Sequence, residues 1–260
     1  MRRELERILV DSHLWVSAAA AGLTLFAAAT LGLPFRAGPA GIVFSATLLV
    51  YAVDDVFDGR MHRQPARWLL VLIGGAMLSV QLLMAPAIIV VVVAGGAVPA
   101  LLYGAPIGGH RFRELPGVKP FYVAASLAVA AVSIPVLWQT DLQLPSTPRL
   151  IATGVLLFAL ILGNVCFFDL RDRHEDAGAG VRTIAVRLGV ARTRRLVLVL
   201  GAMVAGGSVL VGGEQWPALA LAALATAAYA RFLPVTGGRL QYGLVVDGVP
   251  VMLGCSVLLG

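Results

Sequence analysis

Charge is what this sequence has least of. Only 13% of its 260 residues are Asp, Glu, Lys or Arg, while 59% are hydrophobic; a soluble domain carries about 25% charged residues. That shortage excludes a soluble globular enzyme, and the repeated apolar runs exclude a disordered chain. Cysteine is nearly missing too. Cys166 and Cys255 lie far apart in apolar stretches with no CxxC, so no disulfide framework is expected and both read as small buried hydrophobes. Also lacking is the purely basic start of a signal peptide. Arg2, Arg3 and Arg7 are mixed with Glu4, Glu6 and Asp11, and the apolar run that follows is longer than a signal core, so it reads as a retained span.

What is present is a series of apolar windows. A hydrocarbon core about 30 Å thick takes roughly 20 apolar residues in a helix. Nine windows meet that need: Leu14 to Leu33, Gly41 to Asp58, Trp68 to Leu83, Ala87 to Tyr103, Phe121 to Trp138, Leu150 to Asp172, Leu196 to Val211, Trp216 to Phe232 and Leu240 to Leu259. The expectation is an all-α integral membrane protein of nine transmembrane helices around a central cavity, forming a single polytopic domain.

The basic residues test that division, because cytoplasmic flanks are enriched in Lys and Arg. With the N-terminus cytoplasmic, the inner segments hold Arg2, Arg3 and Arg7; Arg60, Arg63 and Arg67; Arg111, Arg113 and Lys119; seven arginines from Arg171 to Arg195; and Arg231 and Arg239. Only Arg36 and Arg149 of the 20 fall outside. The net charge of +6 is therefore an orientation signal, and a nucleic-acid partner is not expected.

Half of the 14 acidic residues sit in two clusters. Asp54, Asp55 and Asp58 close the second span; Asp169, Asp172, Glu175 and Asp176 close the sixth. A carboxylate near the centre of a membrane helix costs about 2.5 to 3.5 kcal/mol. A helix end is cheaper, but clustering adds repulsion that a cation relieves. Asp54 and Asp58 are four apart and share a face, with Asp55 turned aside, and Asp169, Asp172 and Asp176 form a second stripe. Oxygen-only ligands suit Mg²⁺, and the lack of His or Cys pairing argues against zinc. The clusters lie 115 residues apart, each followed by a basic loop, which suggests a duplicated four-helix unit, roughly 14–115 and 121–235, plus a ninth helix. Asp247, well inside the ninth span, is an intramembrane carboxylate suited to acceptor binding or proton removal, a hydrogen bond from another helix being the alternative.

These motifs resemble those of the UbiA superfamily of intramembrane prenyltransferases. The first runs Val50-Tyr51-Ala52-Val53-Asp54-Asp55-Val56-Phe57-Asp58, against the family's NxxxDxxxD. The second runs Asp169-Leu170-Arg171-Asp172-Arg173-His174-Glu175-Asp176 and continues through Gly180, Thr183 and Gly189, like the family's G-x-x-T-x-x-x-x-x-G tail. Arg111, Arg113, Pro116, Gly117 and Lys119 match its basic loop after the fourth helix. The first motif departs from the pattern, since Val50 stands where the family usually has Asn and Asp55 replaces a residue that is often basic.

The resemblance implies a Mg²⁺-dependent transfer of a prenyl group from a prenyl diphosphate to a lipophilic acceptor, at a site near the cytoplasmic face of the inner membrane. Asp54, Asp58, Asp169, Asp172 and Asp176, with Asp55 as a further candidate, would hold the metal. Lys119, Arg111 and Arg113 would bind the diphosphate, and Tyr51 and Tyr103 would steady a cation or line the acceptor site. Two alternatives stand beside it. One is a UbiA-type terpene cyclase, to which the literal DDxxD of residues 54–58 also points; the other is a non-catalytic transporter or lipid-binding protein.

Overall fold

In lipid every backbone polar group must be satisfied within the protein, so apolar runs of this length fold as helices. The computed structural model describes residues 4, 6–59, 67–106, 111–115, 117–139, 144–178, 180–211 and 214–259. Arg2, Arg3, Arg60, Arg63 and Pro116 lie outside them. Among the described residues there is no strand, and nine long helices follow one another: α1 (Leu14–Thr30), α2 (Ala37–Phe57), α3 (Arg67–Leu83), α4 (Ala87–Gly104), α5 (Val118–Leu137), α6 (Thr147–Gly178), α7 (Ile184–Val211), α8 (Trp216–Phe232) and α9 (Arg239–Leu259). A π-helical turn, Glu6–Val10, precedes α1, and a 3₁₀ turn, Phe112–Glu114, precedes α5. Among the described residues five helices, α2, α4, α5, α6 and α9, are long and apolar enough to cross a membrane. The chain is an integral membrane protein.

Two helices differ from the expected windows, for one physical reason. The sixth continues six residues past Asp172 to Gly178, and the seventh starts at Ile184, 12 residues before Leu196. Hydropathy marks the part of a helix that meets lipid, and these extensions are charged helix beyond it.

The sixth helix is the axis of the bundle. Its apolar window is 61% buried, against 11% for α4, which lies at the periphery. Leu157, Leu160 and Phe167 of α6 join Leu23 and Phe26 of α1 and Leu219 of α8 in one continuous core. Along the α1–α9 seam the backbones nearly touch, since a Cβ on Gly254 would lie 2.5 Å from the Cα of Gly22. Small residues permit that approach. Cys166 is fully buried as expected, but Cys255 is exposed. It adjoins Gly254 on α9, and successive residues of a helix point about 100° apart.

Candidate active site

The last turns of α2 carry the first acidic cluster. Asp54 and Asp58, one turn apart, meet two arginines at the 3₁₀ turn that follows α4. Arg113 donates to both oxygens of Asp54 at 2.7 Å and also to Asp58. Arg111 donates to Asp58, and to the Phe57 carbonyl at 2.7 Å. Burial works against the charged guanidinium of Arg113, but the Asp54 and Asp58 carboxylates outweigh it and hold its pKa above the ordinary arginine value. Asp55 faces elsewhere. It is 1% exposed and pairs with His13 Nε2 at 2.8 Å, and the His13 ring stacks on Tyr51 with centroids 5.3 Å apart.

The second cluster meets the first turn of α5. Lys119 Nζ lies 2.8 Å from Asp169 Oδ1 and 3.9 Å from Asp176 Oδ2, the latter beyond hydrogen-bond length. Asp172 receives Arg171 Nε and Nη2 at 2.7 and 2.8 Å. That guanidinium also lies over the Phe168 and Tyr242 rings, 5.5 and 5.6 Å from their centroids. The Gly/Thr/Gly tail has a local structural role. Gly180 turns the chain with φ 76° and Gly189 kinks α7 with φ 74°, both in the left-handed region that glycine enters without penalty. Between them Thr183 Oγ1 accepts from the Val186 amide at 3.3 Å, capping the start of α7.

Tyr103, at the end of α4, stacks on Tyr122 of α5 with centroids 4.4 Å apart. It adjoins Gly104, where an added Cβ would lie 3.0 Å from Asp54 Oδ1. Asp247 stands apart from both, on a π-helical turn, Gly243–Asp247, within α9. Arg111, Arg113 and Lys119, expected on a diphosphate, here neutralise the carboxylates. Sequence spacing did not reveal His13, 42 residues from Asp55, or Arg171 as the partner of Asp172. Asn164 could have been noticed as a lone amide in the sixth apolar run; its side chain donates to the Val246 carbonyl and accepts from the Tyr229 hydroxyl.

The donor set can be tested for a divalent cation. Asp169 Oδ2 and Asp176 Oδ2 are buried without a hydrogen-bond partner, a costly state for acceptor-only oxygens that a cation would relieve. Among the described residues no three acidic, His or Cys side chains already converge as a ligand group. Mg²⁺ does not require one, because it is commonly held by one or two carboxylates together with waters and substrate phosphate oxygens. The residues fit such an ion.

Comparison with known proteins bears on the fold and the family. The model of the UbiA prenyltransferase family matches residues 55–236. The apo structure of a UbiA homologue from Aeropyrum pernix K1 superposes with a TM-score of 0.69 at 16% identity, covering 95% of this chain and 98% of that one. A UbiA homologue from Archaeoglobus fulgidus bound to DMAPP and Mg²⁺ gives 0.61 at 13% identity, covering 94% and 97%. A structure of digeranylgeranylglyceryl phosphate synthase gives 0.58 at 11% identity, covering 99% of each chain. No curated protein matches the sequence. Identities this low establish a shared fold; the family model, which covers more than two thirds of the chain including Asp58 and the whole second motif, establishes more. The chain belongs to the UbiA prenyltransferase family.

Proposed function

We propose that the protein is an intramembrane prenyltransferase that moves a prenyl group from a prenyl diphosphate to a lipophilic acceptor, using Mg²⁺. The observation that carries this reading is the pairing of two carboxylate stripes, from the ends of α2 and α6, with three basic side chains that match phosphate chemistry. The DMAPP and Mg²⁺ named for the A. fulgidus homologue support the same donor class. The segregation of 18 basic residues onto one side supports a cytoplasmic N-terminus and a site at the cytoplasmic face of the inner membrane.

Asp169 and Asp176 would hold Mg²⁺ from α6, with Asp172 beside them, and Asp54 and Asp58 from α2. When bound, Mg²⁺ neutralises diphosphate oxygens and stabilises the leaving group as the allylic carbon–oxygen bond breaks. Arg111, Arg113 and Lys119 exchange their carboxylate partners for phosphate oxygens, Arg113 offering a planar fork and Lys119 a point charge. Tyr103, stacked on Tyr122 at the end of α4 and next to Gly104 beside Asp54, would present a ring face to the carbon that becomes positive. Asp55 keeps to His13 and stays out of the metal shell.

Incubating purified protein with Mg²⁺ and prenyl diphosphates, with and without added lipid acceptor, tests the reading. Prenylated lipid formed only with acceptor is expected. A cyclic hydrocarbon or alcohol formed without acceptor would replace the transferase reading with the cyclase one.

A further inference from the structure

Arg171 and Asp172 are neighbours on α6, and successive residues of a helix point about 100° apart. An arginine in that position ordinarily sends its head away from the aspartate and into water. Here the head turns back, so that Nε and Nη2 donate to Oδ1 and Oδ2 of Asp172 at 2.7 and 2.8 Å. Burial does not hold the pair, since the two side chains are 20% and 30% exposed, and an ion pair so solvated adds little to stability.

Two aromatic rings hold the guanidinium instead. Phe168 lies three residues earlier on the same helix face, with its centroid 5.5 Å from the guanidinium carbon, and the Tyr242 ring of α9 lies 5.6 Å from it. Both distances fall within the range of about 6 Å over which a cation is attracted to a ring face. The two rings also pack on each other, with centroids 6.0 Å apart. Tyr242 is itself fixed: it is fully buried, its ring stacks on Phe167 at 5.4 Å, and its hydroxyl donates to the Pro234 carbonyl at 3.2 Å. Pro234 is held in turn, because Arg194 of α7 donates to the Ala230 and Leu233 carbonyls just before it at 2.8 and 2.6 Å.

A carboxylate offers about four lone-pair positions, and a bidentate fork takes two of them. Asp172 lies on the stripe between Asp169 and Asp176, whose Oδ2 atoms are buried without hydrogen-bond partners. The fork thus fixes the plane of the middle carboxylate and leaves a lone pair on each of its oxygens. We propose that Arg171 and Tyr242 are positioning residues for the divalent cation: the Tyr242 ring sets the guanidinium, and the guanidinium aims Asp172 at an ion held by Asp169 and Asp176. Neither residue touches the ion or the diphosphate. This rests on the metal reading above, and the test keeps the two apart.

Wild-type protein, Arg171→Lys, Tyr242→Phe and Tyr242→Leu, each stripped with EDTA in phosphatidylcholine nanodiscs, are titrated with Mn²⁺ alone as a paramagnetic stand-in for Mg²⁺, and the free ion is read by electron paramagnetic resonance. Arg171→Lys keeps the charge and loses the fork; Tyr242→Leu keeps both charged groups and loses the ring. The expected result is Mn²⁺ affinity lowered about 10- to 100-fold in these two variants and unchanged in Tyr242→Phe, which keeps the ring. The metal-free Tm of Arg171→Lys should stay near that of the wild type, because the pair is solvated. Wild-type affinity in Arg171→Lys would overturn the inference, and so would tighter binding, which marks the arginine as a competitor of the ion. Equal losses in Tyr242→Phe and Tyr242→Leu would also overturn it, since the hydroxyl anchor and not the ring would then be at work. No binding of Mn²⁺ by the wild type would refute the metal reading itself, and the inference with it.

Discussion

Replacing Lys119 by Met removes one charge from a pair whose other member cannot reach water. The Asp169 side chain is 1% exposed and that of Lys119 31%, so the carboxylate is left uncompensated while the lysine end was already partly solvated. Breaking a buried pair from one side costs about 3 to 5 kcal/mol, and the solvated lysine end puts this case near about 3 kcal/mol. For a chain of this size 1 kcal/mol moves the midpoint by about 2 to 4 °C, so Lys119→Met in metal-free detergent should melt about 6 to 12 °C below wild type. Because Mg²⁺ would supply the missing countercharge, saturating Mg²⁺ should raise Tm more in the variant than in the wild type, where the ion has to displace the lysine. The double variant Lys119→Met/Asp169→Asn removes both charges and should recover most of the loss, with little response to Mg²⁺. Thermal unfolding followed by tryptophan fluorescence, with EDTA and with Mg²⁺, reads all of these. A Lys119→Met midpoint equal to wild type, with the same Mg²⁺ shift, would refute the assignment of Lys119 as the internal counterion of the second cluster.

Arg113→Lys keeps the charge but loses the fork that spans Asp54 and Asp58; one charge-assisted hydrogen bond is worth about 1.5 to 3 kcal/mol, so KM for the prenyl diphosphate should rise about 10- to 100-fold in steady-state kinetics. Asp54→Ala, Asp58→Ala and Asp172→Ala should each slow Mg²⁺-dependent diphosphate release by about 10² or more, measured with a coupled phosphate assay. Asp55→Asn, which alters the contact with His13, should leave that release near the wild-type rate; a fall as deep as that of Asp54→Ala would place Asp55 in the metal shell. Gly254→Leu should push α9 from Gly22 of α1 and cost about 1 to 3 kcal/mol, seen as a lower melting temperature in detergent.

Much of this architecture is legible in the sequence because lipid imposes strict rules on it. Seven of the nine expected windows start and end within four residues of their helices, since apolar length is itself the quantity the membrane selects. The exceptions, the end of α6 beyond Asp172 and the start of α7 from Ile184 to Arg195, are helical but charged, and hydropathy registers lipid rather than helix. The carboxylate stripes were visible because residues four apart on a helix share a face, and the turning aside of Asp55 follows from the same geometry. Contacts brought together by loops were not visible. Arg113 lies 59 residues from Asp54 and His13 lies 42 from Asp55, and no periodicity links such positions. Cys255 shows the limit of composition, for an apolar neighbourhood in a membrane protein does not distinguish the core from the lipid-facing surface.

The most direct test of the central claim is diphosphate release from a labelled prenyl diphosphate by purified protein in lipid, titrated with Mg²⁺ after EDTA treatment, for the wild type and for Asp54→Asn and Asp169→Asn. Release that is absent with EDTA, restored by Mg²⁺ in the wild type and abolished in both variants is the predicted result. Release that persists without a divalent ion, or survives the loss of either carboxylate, would contradict a shared metal–diphosphate site between α2 and α6.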